Sequence, residues 1–131
     1  IGSILSASTS SVAIEENTSI DETKVMLCNK LKANGYKIAC VTNCIRRTAE
    51  LMLKACGVYE HMDLLVSNED ALYNKPHPEP YIKAMVILEC LPENCTIIED
   101  SPKGLEAARL SGAAVIQVNN ATEVIPEMIK L

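Results

Sequence analysis

The sequence predicts an α/β fold in three layers, a parallel sheet flanked by helices on both faces. Short apolar runs suited to strands buried on both sides alternate with longer stretches whose apolar residues recur at helical spacing, the pattern of βαβ units joined by right-handed crossovers. Polar residues follow those strands at their C-terminal ends, where open parallel sheets gather their ligands. With 48% hydrophobic and 22% charged residues over 131 residues, the composition suits one folded domain and excludes disorder, collagen and coiled coil as the main state.

Residues 1–18 are rich in Ser and Thr, carry no charge before Glu15 and hold only short apolar pieces such as Ile4-Leu5 and Val12-Ala13-Ile14. They are expected to be a linker or the remnant of an upstream segment, with the structured core over 19–131. Ser19 and Glu22 have capping-box spacing, Asp21 and Glu22 suit the positive end of a helix, and Leu27, Cys28 and Leu31 share one face before Asn34-Gly35 ends it. Residues 37–41, almost uninterruptedly apolar, form a first buried strand that ends at Thr42-Asn43. A second helix aligns Ile45, Ala49, Met52, Leu53 and Cys56, and Gly57 closes it. Leu64-Leu65-Val66 reads as the next strand, and the Pro-punctuated stretch from Ser67 to Pro80 as a long loop of the functional kind. A third helix from about Pro80 is expected to bury Ile82, Met85 and Val86. Residues 95–98 form a strand running into Glu99-Asp100-Ser101, and a fourth helix from about Lys103 to Leu110 stops at Gly112. Residues 114–118 give a last strand, and a short helix is expected after Pro126.

A net charge of -5 and a sequence pI of about 5.0 disfavour a nucleic-acid partner, because phosphate-backbone affinity comes from clustered Lys and Arg. No apolar run approaches the ~20 residues that span a bilayer, so no membrane segment is expected. The start has neither a basic n-region nor an initiating Met, which suggests a piece of a longer chain rather than a signal peptide. Six cysteines occur without a Cys-x-x-Cys, mostly among apolar residues, and are expected to be buried free thiols rather than disulfides or zinc ligands. That usage suits a reducing compartment, and a cytoplasmic location is expected.

The strand ends carry the chemistry. Thr42 offers a hydroxyl, and the amide of Asn43 lies where strand turns to helix, an arrangement fit for an anionic oxygen or, more plainly, for a helix cap. Prolines after Lys75 restrict the backbone there and could aim its ammonium inward, although a loop lysine is ordinarily solvent-facing. Glu99 and Asp100 put two carboxylates at the end of a buried strand, where hard cations such as Mg²⁺ find oxygen ligands; alternatively Asp100 or Ser101 caps the helix that opens at Pro102. His77 is expected to be structural or solvated. Taken together, a hydroxyl with an amide, then a lysine, then acids can hold a phosphoryl group and a metal.

These residues resemble the motifs of the haloacid dehalogenase-like (HAD) hydrolase superfamily, in its phosphatase and β-phosphoglucomutase-like branch. "KIACVTNCIRRT" is similar to the family's second motif, "NKPHPEPY" to the third and "IIEDSPKGLEAARLSGA" to the fourth, in order and over about residues 21–118. The resemblance implies a Rossmann-like core in which Thr42, Asn43 and Lys75 bind the phosphoryl group, Thr42 and Lys75 being catalytic. It implies that Asp100 binds Mg²⁺ with Glu99 assisting, and that the substrate is a small phosphorylated metabolite.

One family motif is absent. Members begin with a strand ending in Asp-x-Asp, the first Asp attacking phosphorus and the second serving as acid and base; here Asp21 is the first aspartate in the chain. The core therefore reads as incomplete, with its central strand missing between the strands that end at Thr42 and Asp100. Unpaired backbone there is costly, so something must fill the gap: a separate piece of the protein, another copy through oligomerisation or strand exchange, Val12-Ala13-Ile14, or closure of the two neighbours. The chain alone is expected to be inactive, the C-terminal core portion of a Mg²⁺-dependent phosphatase or phosphomutase that works through an aspartyl-phosphate. The alternative is a non-catalytic HAD-like module that binds a phosphate ligand or a protein.

Overall fold

The computed structural model describes residues 3–7, as a strand backbone, and 22–118. Among the described residues five strands and four helices follow one another as β1 (Ser3–Ala7), α1 (Glu22–Ala33), β2 (Lys37–Val41), α2 (Arg46–Cys56), β3 (Leu64–Val66), α3 (Glu79–Ile87), β4 (Cys95–Glu99), α4 (Pro102–Ser111) and β5 (Ala114–Gln117). All strand pairs are parallel and the sheet order is β3-β2-β1-β4-β5.

The four strands expected from apolar runs are all present. The place expected to be open is filled by β1, which pairs Ser3–Ala7 with Lys37–Val41 on one side and Ser3–Ser6 with Cys95–Ile98 on the other. Reading 1–18 as linker therefore fails for Ser3–Ala7, and the sheet's central strand comes from neither an outside segment nor closure of its neighbours. Val12-Ala13-Ile14, proposed as the filler, lies outside the described residues, as do Ser19 of the expected capping box and the helix expected after Pro126. Pairing on both edges satisfies the central strand's backbone, which the Ser-rich local sequence does not advertise.

Strand alternation divides the interior into two layers. Ile38, Cys40, Leu65 and Ile98 face Leu27, Cys28 and Leu31 of α1 and Ala49 and Leu53 of α2. Ala39, Val41, Val66 and Ile97 face Tyr81, Ala84 and Met85 of α3 and Ala107 and Ala108 of α4. In α3 the buried set differs from the expected one: Tyr81, Ala84 and Met85 turn inward, whereas Ile82 and Val86 are 43% and 70% exposed. The helix begins at Glu79, which sets the phase so that residues 81, 84, 85 and 88 meet the sheet.

Local chemistry explains the helix ends. Gly57 and Gly112 take left-handed backbone at φ 81° and 86°, which a side chain would resist, and close α2 and α4. Ser101 caps α4, its hydroxyl accepting from the Gly104 N–H at 3.1 Å. The cysteine expectation needs one correction. Cys28, Cys40, Cys44 and Cys56 are thiols outside any disulfide, but Cys90 and Cys95 form one, because the turn through Pro92–Asn94 folds the chain back and leaves their Cα atoms 6.7 Å apart. Among the described residues no helix is long and apolar enough to cross a membrane.

Candidate active site

The C-terminal ends of β2 and β4 and the loop between β3 and α3 bring Thr42, Asn43, Lys75, Glu99 and Asp100 to one rim of the sheet. Lys75 is the pivot. Only 7% exposed, its Nζ donates to Val41 O at 2.9 Å and to Glu99 Oε2 at 3.2 Å. A loop lysine buried in this way departs from the solvent-facing norm, and a carboxylate compensates its desolvation. Burial lowers the ammonium's pKa, while the charge and hydrogen bond of Glu99 pull the other way.

Glu99 is 2% exposed and has both oxygens engaged. Oε2 accepts from Lys75 and, at 2.6 Å, from the Tyr81 hydroxyl; Oε1 accepts from the Asp100 and Ser101 N–H groups at 3.0 and 3.1 Å and from Ser101 Oγ at 3.2 Å. Burial would push this carboxyl up, but the Lys75 charge and these hydrogen bonds hold it below the usual range. Asp100 sits half-buried next door, its carboxyl pushed up by burial and then by Glu99. The two acids, adjacent in sequence, thus have different work. Strand alternation sends Glu99 inward beside α3 and α4, whereas Asp100 stands at the rim.

Thr42 is 1% exposed; its N–H donates to Val66 O at 2.9 Å and its hydroxyl oxygen accepts from the Cys44 N–H at 3.0 Å. Accepting leaves an O–H to donate. The Asn43 side chain clasps the peptide of Lys75: its Nδ2 donates to Lys75 O and its Oδ1 accepts from Lys75 N, both at 3.2 Å. The side chain thus holds the lysine loop against β2. His77 is exposed and stays outside this cluster, with Nδ1 accepting from the Glu79 N–H at 3.0 Å and its ring 5.1 Å from that of Tyr73.

Three residues of the site were not singled out from sequence. Tyr81 is completely buried against Glu99. Gly104 is needed because a Cβ there would lie 2.0 Å from Glu99 Cδ and Oε2. Asp70 orders the loop after β3 by accepting from Ser67 N and Oγ at 2.7 and 2.9 Å and from Arg46. The signal for Tyr81 and Gly104 lay in the quoted segments themselves, a polar aromatic at a core position and a glycine in a helix's first turn.

A divalent ion would find an oxygen ligand in Asp100. Glu99 does not fit as a second ligand, because protein donors occupy both its oxygens, and among the described residues no cluster of three or more His, Cys, Asp or Glu surrounds a common point. Mg²⁺ is commonly bound through one or two carboxylates, with waters and substrate phosphate completing its shell, so one rim aspartate suits it.

A parallel α/β sheet with a buried lysine–carboxylate pair and a second, half-buried acid at its C-terminal rim defines a class of ligand-binding or catalytic cores. Residues 4–118 match the haloacid dehalogenase-like hydrolase family, and the chain belongs to it. A pyrophosphatase PpaX of Bacillus mycoides is 32% identical over 106 residues, covering 81% of this chain and 47% of the relative. CbbY from Rhodobacter sphaeroides in complex with phosphate superposes with a TM-score of 0.69 at 26% identity, over 79% of this chain and 48% of CbbY. β-Phosphoglucomutase from Clostridium difficile shares the fold, with a TM-score of 0.69 at 23% identity over 82% of this chain and 51% of that one. The chain spans about half the length of the curated relatives it matches.

Proposed function

We propose that this chain is the phosphate-handling portion of a Mg²⁺-dependent phosphatase or phosphomutase acting on a small phosphorylated metabolite. The observation that carries the reading is the buried Lys75 ammonium, 3.2 Å from Glu99 and donating to the carbonyl of Val41, the residue before Thr42. Residues far apart in sequence put a positive charge and a hydroxyl at one rim, and phosphoryl transfer needs mainly such fixed charge. The phosphate held by CbbY and the pyrophosphatase activity named for PpaX support an anionic phosphoryl ligand.

In this reading Lys75 and the Thr42 hydroxyl hold the phosphoryl oxygens, and the Asn43 side chain keeps the Lys75 peptide in place. Asp100 would hold Mg²⁺, which supplies charge neutralisation at the transferring group when bound. The family's covalent step is attack by an aspartate carboxylate on phosphorus. This sequence has Ser6-Ala7-Ser8-Thr9 where β1 ends and continues, and no aspartate before Asp21. A serine hydroxyl lacks the carboxylate's charge, so the chain by itself is expected to turn over no substrate.

The test is hydrolysis of p-nitrophenyl phosphate with Mg²⁺. The 131-residue chain should give no turnover above background, whereas a chain carrying Asp-x-Asp at its first strand should hydrolyse the ester. Asp100→Asn should abolish that activity. Turnover by the unaltered chain would refute the nucleophile argument, and activity indifferent to Asp100→Asn would refute the metal assignment.

A further inference from the structure

Tyr81 fills a core position of α3 with no exposed surface, yet it carries a hydroxyl that phenylalanine would spare. A buried hydroxyl is costly unless bonded. Here it donates to Glu99 Oε2 at 2.6 Å and stands 3.5 Å from the Lys75 ammonium as an acceptor. The ammonium also lies 5.2 Å from the centre of the tyrosine ring, a cation–π distance. Glu99 Oε1 is tied down separately by the backbone that follows it, so the lysine-facing oxygen is fixed by Tyr81 and Lys75. Without the hydroxyl, Glu99 Oε2 would lose its shortest partner and be held by Lys75 alone, and the ammonium would lose its fixed counter-charge.

We propose that Tyr81 is a positioning residue of this site: its hydroxyl locks the Glu99 carboxylate against Lys75 and so sets where the ammonium stands when an anionic phosphoryl group binds. The ligand part of this inference rests on the function proposed above; the lock itself does not.

The test compares the 131-residue chain with Tyr81→Phe by NMR, using ¹⁵N-lysine and ¹³C-tyrosine labels, and by titration with inorganic phosphate. The unaltered chain should show a slowly exchanging phenolic proton from Tyr81, close to the Lys75 side chain, and a protected Lys75 ammonium signal. In Tyr81→Phe the ammonium protons should exchange about tenfold faster and phosphate should bind about tenfold more weakly, the scale of one charge-assisted hydrogen bond. A variant that loses stability while its Lys75 signal stays protected would overturn the proposal, since a purely structural tyrosine behaves that way. Should Tyr81→Phe fail to fold, the phenolic proton of the unaltered chain decides, and its absence overturns the lock. If the unaltered chain binds no phosphate, the phosphoryl reading falls while the ammonium exchange still judges Tyr81.

Discussion

Gly104→Ala is a one-carbon change whose effect follows from the site's geometry. In a helix, alanine is favoured over glycine by about 1 kcal/mol, so on propensity alone the substitution should stabilise α4. The added Cβ, however, would lie 2.0 Å from Glu99 Cδ and 2.6 Å from Cγ. Glu99 cannot swing away cheaply, because Lys75, Tyr81, Asp100 and Ser101 all hold its carboxylate. Displacing it weakens several hydrogen bonds to a buried charge, each worth about 1.5–3 kcal/mol. The expected net loss is about 3 kcal/mol, or roughly 10 °C in Tm for a domain of this size. Urea and thermal denaturation followed by circular dichroism measure it. The control is the same substitution in a Glu99→Ala background, where the obstructing carboxylate is gone and Gly104→Ala should be neutral or stabilising by up to about 1 kcal/mol. An equal loss in both backgrounds, or none in the first, would refute the reasoning.

Leu5→Pro should cost about 3 kcal/mol or more and broaden the unfolding transition, because proline removes a donor from a strand paired on both sides. Under denaturing conditions without reductant a thiol reagent should count four cysteines, and six after reduction; six without reductant would argue against the Cys90–Cys95 bond. Asp63 accepts from Lys32 Nζ at 2.6 Å and from Ile38 N at 2.7 Å, and these partners outweigh the opposing effect of burial to hold its carboxyl below the usual range. A lowered folded-state pKa adds stability above the unfolded value, about pH 4, and that stability is lost as the pH falls through the folded value. Asp63→Asn should therefore cost about 0.5–1 kcal/mol at neutral pH, the pair being about one-third exposed, and nothing at pH 2.

Much of the fold and of the candidate site was legible because local signals agreed with global needs. β2 and β4 read as strands because uninterrupted apolar runs such as residues 37–41 suit burial on both faces. Lys75, Glu99 and Asp100 were identifiable from their order behind such strands. β1 was not, because Ser-Ile-Leu-Ser-Ala has weak periodicity and its strand state comes from partners distant in the chain. The division of labour between Glu99 and Asp100 was equally hidden. Two neighbouring acids look equivalent as letters, and only the pleat assigns one to the interior. The inward face of α3 was misphased because Pro80, Tyr81, Ile82, Met85 and Val86 offer apolar candidates on several sides.

The placement of β1 also governs when the molecule can fold. During synthesis, residues 3–7 leave the ribosome well before one of their two partner strands, which spans residues 95–99. That strand must wait, unpaired on one edge, until nearly all of the described chain has emerged, and the middle of the sheet closes last. Long-range pairing of this kind slows folding and leaves an edge open to other chains meanwhile. A bulky group joined just ahead of residue 3 would burden the very strand on which that closure depends.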